Sequence, residues 1–153
     1  MRIRGLHHIT LICSDMDKTI AFYRDLLGLR LIKRTFNFDD PQTKHFYFGD
    51  ESGTPGTVIT FFEYPVAPQG SVGVGSTHHF AFEVESEEEQ LLWQERIRKA
   101  GIEVTPVRDR KYFRSIYFND PDGHLLEIAT RGPGFAVDEE PKRLGEKVIR
   151  PPN

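Results

Sequence analysis

Two pairs of adjacent histidines and one isolated acid are the residues most able to do chemistry in this chain. His7 and His8 open the stretch "GLHHITLICSD", His78 and His79 open "THHFAFEVES", and Glu127 interrupts the apolar run "HLLEIAT". Two imidazoles and a carboxylate are the donor set of a 2-His-1-carboxylate centre with open positions, typical of non-haem Fe(II). Mn(II), Zn(II) or Ni(II) suit the same donors. A carboxylate buried among apolar residues costs several kcal/mol unless it is paired. A divalent ion held by His8, His79 and Glu127 would meet that need.

Those groups can meet only if the intervening elements bring them together, and the chain repeats itself in a way that would do so. When His8 is placed on His79, "HHITLICSD" and "HHFAFEVES" both alternate apolar and polar residues, the pattern of half-buried strands. Each run is followed by a serine placed to cap a helix, Ser14 or Ser86, with Asp17 or Glu89 three residues on. Each helix ends at a glycine, Gly28 or Gly101. The acids Glu85, Glu87, Glu88 and Glu89 and the bases Arg96, Arg98 and Lys99 complement the dipole of the second helix, so they read as a solvated face.

Strands are predicted near 4–13, 29–38, 43–49 and 57–64, then 78–85, 102–107, 113–119 and 124–130. The fold class is therefore α+β. A first βαβββ module spans 1–64, a linker 65–77, a second βαβββ module 78–134, and a C-terminal extension 135–153. Two such modules are expected to form a curled mixed sheet around a central cavity with helices outside, since neither alone covers both faces of its sheet.

Strand parity sorts the side chains. Ile9, Leu11 and Cys13 take the helix side of the first strand, leaving His8, Thr10 and Ile12 inward. Phe80, Phe82 and Val84 do the same in the second module, leaving His79, Ala81 and Glu83 inward. Glu127 faces in, and alignment through the turn glycines Gly56 and Gly123 puts Thr60 at its counterpart position. His45, Tyr47, Ser115 and Tyr117 share that inner face. His7 and His78 read as strand-end packing residues, because neighbours on a strand point opposite ways.

His45 is a candidate proton shuttle, because imidazole titrates near neutrality. Tyr47 or a structural hydrogen bond are the other uses of that face. Phe62, Phe113 and Tyr112 are candidates for an aromatic wall around a substrate, with core filling as the alternative. Arg110 and Arg114 are candidates for meeting an anionic substrate, with a solvated strand edge as the alternative.

A length of 153 residues and a net charge of −3 suit a globular domain with no electrostatic footprint for nucleic acid. No apolar run approaches membrane-spanning length, and "MRIRGLHHITLI" lacks the apolar core of a signal peptide. Cys13 is the only cysteine, so no intrachain disulfide forms. A soluble, cytoplasmic protein is expected.

Over essentially its whole length the chain resembles the vicinal oxygen chelate superfamily, which includes glyoxalase I, extradiol dioxygenases, fosfomycin-resistance transferases and bleomycin-resistance proteins. "HHITLICSDMDKTIAFYRDLLGLRL", "HHFAFEV" and "YFNDPDGHLLEIAT" carry the resemblance. It implies metal ligands on the first and last strands of the modules, which are again His8, His79 and Glu127. Glyoxalase I has a glutamate where this chain has Thr60, which counts against a lactoylglutathione lyase and leaves that position for substrate. "TFNFDDPQTKHFYFGDESGTPGTVITFFEYP" and "VTPVRDRKYFRSIYFNDPDGHLLEIATRGPGFAVDE" further resemble hydroquinone-type ring-cleaving dioxygenases, which are commonly longer. The extradiol signature Y-x-x-D-P-x-G is matched with Tyr117 as its tyrosine. The histidine that signature has near 108–110 is replaced by Arg108, Asp109 and Arg110.

The resemblance implies a metal-dependent ring-cleaving dioxygenase acting on a small dihydroxylated aromatic, with Fe(II) as metal and O₂ as co-substrate. Tyr117 would hydrogen-bond the bound substrate oxygen, and Thr60, Phe62, Phe113 and Arg114 would contact substrate. A homodimer is expected, since related short members share sites between chains. The alternatives are a glyoxalase-like isomerase, lyase or thiol transferase, and a metal-free small-molecule-binding protein.

Overall fold

The alternating apolar pattern becomes eight strands in a computed structural model that describes residues 1–152. In the first module β1 (His8–Cys13) leads into α1 (Met16–Ile20), which continues as a π-helical segment over Ala21–Leu26. Then come β2 (Arg30–Phe36), β3 (Lys44–Gly49) and β4 (Val58–Glu63), in the sheet order β1-β4-β3-β2. The second module repeats this with β5 (Phe80–Val84), α2 (Glu87–Lys99), β6 (Arg108–Asp109), β7 (Arg114–Asn119) and β8 (Leu125–Thr130), in the order β5-β8-β7-β6. In each sheet the first strand runs parallel to the last, and the remaining pairs are antiparallel. This is the expected α+β architecture of two βαβββ modules.

The chain forms two compact units: Met1–Ser76 with Asp120–His124, and Thr77–Asn119 with Leu125–Asn153. In the first, Tyr23 of the π-helical segment packs its ring 4.8 Å from that of Phe61 and 5.9 Å from that of Phe48. Its buried hydroxyl donates to Asp120 Oδ2 at 2.9 Å. In the second, the buried Gln90 of α2 donates through Nε2 to the carbonyls of Arg114 and Ile128, tying the helix to β7 and β8. The extension is anchored through Phe135, whose ring lies 5.6 Å from that of Tyr112 and 6.2 Å from that of Phe113. Among the described residues no helix is long and apolar enough to cross a membrane.

Three local details differ from the sequence expectation. The N-cap of α1 is Asp15, whose Oδ1 accepts from the amides of Asp17 and Lys18; the Ser14 hydroxyl donates instead to Asp122. Ser86 does cap α2, accepting from the Glu89 amide at 3.2 Å, but Glu89 Oε2 reaches back to the amide of Glu85 rather than to that of Ser86. The strand expected over 102–107 is absent, and pairing with β7 begins only at Arg108. Pro106 has no N–H to offer a ladder. Thr105 docks that segment on Tyr117 by itself, its amide donating to the Tyr117 carbonyl and its hydroxyl accepting from the Tyr117 amide, each at 3.0 Å.

Candidate metal centre

β8 is an interior strand of its sheet, between β5 and β7, so a side chain on it is covered from both flanks. Glu127 pairs with Ala81 on one side and Tyr117 on the other, and is 3% exposed. Its carboxylate is nonetheless well supplied with donors. His79 Nε2 lies 2.9 Å from Oε2, and Oε1 accepts from the Ser115 hydroxyl and, at 3.3 Å, from the Tyr117 hydroxyl. Arg110 Nε donates in turn to the Tyr117 oxygen at 3.0 Å, with its guanidinium 5.2 Å from the centre of the tyrosine ring. An imidazole nitrogen and a desolvated carboxylate oxygen facing each other are suitable donors for a divalent cation, and the tyrosine and serine fix the carboxylate as outer partners do around a metal.

The first module builds a different chemistry at the matching place. Thr60 of β4 pairs with Thr10 and with Tyr47, the same ladder position that Glu127 holds between Ala81 and Tyr117. Thr60 is fully buried, and its Oγ1 lies 2.8 Å from both Thr10 Oγ1 and His45 Nε2. Tyr47 Oη is 3.2 Å from His45 Nδ1, and the Phe62 ring centre is 4.2 Å from that of His45. Burial, and secondarily the charge of His8, hold His45 below its usual pKa of 6.5. A neutral imidazole in a line of hydroxyls can take up and pass on a proton.

The histidine pairs depart from the parity reading. His7 and His78 are exposed, so neither is a packing residue. Each turns its ring edge-on to the next histidine, at centroid distances of 5.1 Å in both pairs. Nδ1 meets Nδ1 at 2.9 Å in the first pair and 2.8 Å in the second. Alternation applies inside a strand, but β1 begins only at His8 and β5 at Phe80, so the mouth of each strand is free to bring neighbours together.

Of the three expected ligands the structure brings together His79 and Glu127 in the second unit, while His8 belongs to the first. Among the described residues no three His, Cys, Asp or Glu side chains form a metal-holding cluster. Arg114 is committed to α2, its Nη1 lying 2.9 Å from Glu87 Oε2, on the strand face that also carries Ile116 and Phe118. Phe113 packs with Phe135 of the extension. Ser115 was legible as an inward residue, but its bond to Glu127 was not; the signal was its parity with Tyr117. Arg110 stands in the region where the extradiol signature has a histidine, and its bond to Tyr117 shows what it does there.

The profile of the Glyoxalase/Bleomycin resistance protein/Dioxygenase superfamily matches residues 5–128. The chain is 45% identical over 130 residues to the "Putative ring-cleaving dioxygenase MhqE" of Bacillus subtilis (strain 168), an alignment covering 84% of this chain and 42% of that protein. It is 35% identical over 142 residues to the chlorohydroquinone/hydroquinone 1,2-dioxygenase of Sphingobium indicum, covering 91% of this chain and 41% of that one. The crystal structure of fosfomycin resistance protein FosX from Listeria monocytogenes matches with a TM-score of 0.64 at 34% identity, covering 86% of this chain and 93% of FosX. The chain thus spans less than half the length of these two dioxygenase relatives and nearly all of FosX.

Proposed function

The chain belongs to the Glyoxalase/Bleomycin resistance protein/Dioxygenase superfamily, and within it we propose a metal-dependent, extradiol-type ring-cleaving dioxygenase acting on a small dihydroxylated aromatic such as a hydroquinone or catechol. The observation that carries this reading is the buried Glu127 carboxylate held by His79, Ser115 and Tyr117 on an interior strand. The identity to one protein named as a ring-cleaving dioxygenase and to another named as a hydroquinone 1,2-dioxygenase supports it.

His8, His79 and Glu127 would hold the metal, Fe(II) by preference, with Mn(II), Zn(II) or Ni(II) accepting the same donors. When bound, the metal supplies Lewis acidity toward the substrate's oxygens and an electron path to O₂. The chain's own residues do the rest. Tyr117, held by Arg110, would turn its hydroxyl from Glu127 Oε1, which keeps the Ser115 donor, to a substrate oxygen. His45, held below its usual pKa by burial and oriented by the hydroxyls of Thr60 and Tyr47, is the group that takes the substrate's proton. Phe62, its ring tilted against that of His45, offers an aromatic surface to the substrate ring.

We propose a homodimer, supported by the sheet edges: β1 and β5 each terminate their sheet, and an edge strand is a ready surface for a second copy. We also propose a cytoplasmic setting, in keeping with the single cysteine, Cys13, a buried free thiol. The mass of the protein in solution, by light scattering, tests the dimer.

The deciding experiment is oxygen uptake by Fe(II)-loaded protein given hydroquinones and catechols. Oxygen consumption with loss of the aromatic absorbance is expected, and turnover of another substrate without oxygen would overturn the dioxygenase. That second outcome is a metal-dependent isomerase, lyase or thiol transferase on the same fold, a reading favoured by the near-complete match to FosX. A wild-type protein that takes up no divalent metal would leave a small-molecule-binding protein.

A further inference from the structure

The turn that carries Arg110 has little ladder to hold it. β6 is a two-residue edge strand, paired with β7 only through Arg108 with Ser115 and Asp109 with Arg114. Within the turn the Arg110 amide donates to the Phe113 carbonyl at 2.9 Å, and the Lys111 amide donates to Asp109 Oδ1 at 2.7 Å. Lys111 sits at φ 70°, in the left-handed region that a lysine seldom occupies unless its surroundings hold it there. Those surroundings come from the C-terminal extension. Asp138 Oδ2 lies 2.5 Å from Lys111 Nζ and accepts from the Tyr112 hydroxyl at 3.2 Å. The Gly134 amide donates to the Tyr112 carbonyl at 2.7 Å, and Phe135 packs on Tyr112 and Phe113. Among the described residues Asp138 Oδ1 is buried without a partner, so Oδ2 alone makes the side chain's contact with the turn.

We propose that Asp138 is a positioning residue that clamps the 109–113 turn and thereby keeps Arg110 seated on Tyr117. Arg110 Nε donates to the Tyr117 oxygen at 3.0 Å, with the guanidinium 5.2 Å from the ring centre. Tyr117 itself is fixed in the β7–β8 ladder opposite Glu127. Arg110 and Lys111 share a peptide, and β7 begins three residues beyond Lys111. A Lys111 that relaxed to negative φ would therefore carry Arg110 away from a tyrosine that cannot follow it. Small displacements of a group that orients a reacting side chain are expensive in rate. The inference deepens the dioxygenase reading and rests on it, since Asp138 would reach the reaction only through the hydroxyl of Tyr117.

The full chain tests this in two independent ways. The first needs neither metal nor substrate. With ¹⁵N-labelled arginine, solvent exchange of the Arg110 Nε–H, assigned by its loss in Arg110→Lys, is expected to be slow in wild type and fast in Asp138→Ala. Asp138→Asn still offers an oxygen to Lys111 and Tyr112 and is expected to stay close to wild type. The second is kinetic, with Fe(II)-loaded protein and the hydroquinone or catechol it turns over. Asp138→Ala is expected to lower kcat about 10- to 100-fold with KM and metal content little changed. Lys111→Gly separates clamping from a merely structural role, because glycine takes φ 70° unaided. In that background Asp138→Ala is expected to lose little further kcat and to keep the Arg110 Nε–H slow to exchange. Unaltered Arg110 exchange in Asp138→Ala, unaltered kcat, or a loss as large in the Lys111→Gly background as outside it would each overturn the proposal and leave the dioxygenase reading standing. A wild type that turns over no dihydroxylated aromatic would overturn that reading and the part given to Asp138 in the reaction, and the exchange measurement would still decide the clamp.

Discussion

Tyr117 and Glu127 lie opposite each other in the β7–β8 ladder, and the tyrosine hydroxyl donates to Glu127 Oε1 while accepting from Arg110 Nε. The carboxylate is therefore fixed from the strand on one side of it, with Ser115 adding a second donor to the same oxygen. Oε2 is left to face His79.

Removing either half of that pair should remove the metal. Glu127→Ala and His79→Ala are expected to lose tight metal binding, read as metal per chain by emission spectroscopy. Both changes should also cost folding. Glu127→Ala strands the donors on Ser115 and Tyr117, and His79→Ala leaves the buried Glu127 Oε2 without the donor it faces, each at about 1–3 kcal/mol for an unsatisfied buried group. Undiminished stoichiometry in both variants would count against the proposed ligands.

Tyr117→Phe keeps the ring under the Arg110 guanidinium but removes the hydroxyl. The expected result is a fall in kcat of about 100-fold, the scale of losing one aligned donor to a developing negative oxygen. Metal content and the denaturation midpoint should stay near wild type, because the Ser115 bond to Glu127 remains. A variant with full kcat would remove Tyr117 from the mechanism.

His45 should set an acid limb in the pH profile. Burial lowers its pKa below 6.5, so it stays in the neutral, proton-accepting form until the pH falls below that value. The kcat/KM of wild type should drop only below pH 6.5, and His45→Asn should show a lower rate with that limb gone. An unchanged limb in the variant would assign the titration elsewhere.

Asp120 offers a stability test away from the metal. Burial raises its pKa above 3.8, against the opposing pull of His124 and the Tyr23 hydrogen bond. The folded chain thus holds this proton more tightly than the unfolded chain. That contribution to stability is complete below pH 3.8 and is lost as pH rises through the folded value. Asp120→Asn lacks the titration and keeps an acceptor for the amides of Asp122 and His124. Urea midpoints from about pH 3 to about pH 7 should show wild type losing ground to the variant as pH rises. A constant difference would contradict the raised pKa.

What the sequence determined by itself was the repeat and the faces. Period-two alternation is a property of the chain alone, so Ile9, Leu11 and Cys13 could be assigned to one side of β1 and Phe80, Phe82 and Val84 to one side of β5 before any contact was known. Alignment of the two modules through the turn glycines Gly56 and Gly123 matched Thr60 to Glu127, and the ladders put both between equivalent partners. Tertiary structure decided whatever depended on the nearest available partner. Ser14 gave up the α1 cap because Asp122, far along the chain, offered its hydroxyl an acceptor, and Asp15 took the role. Arg114 went to Glu87, and Arg110 went to Tyr117. The paired histidines met because they sit where the ladder has not yet imposed alternation. Hydrogen bonds are short and directional, so a sequence pattern can name the donors and acceptors on a face, and only the folded chain settles which of them come within reach.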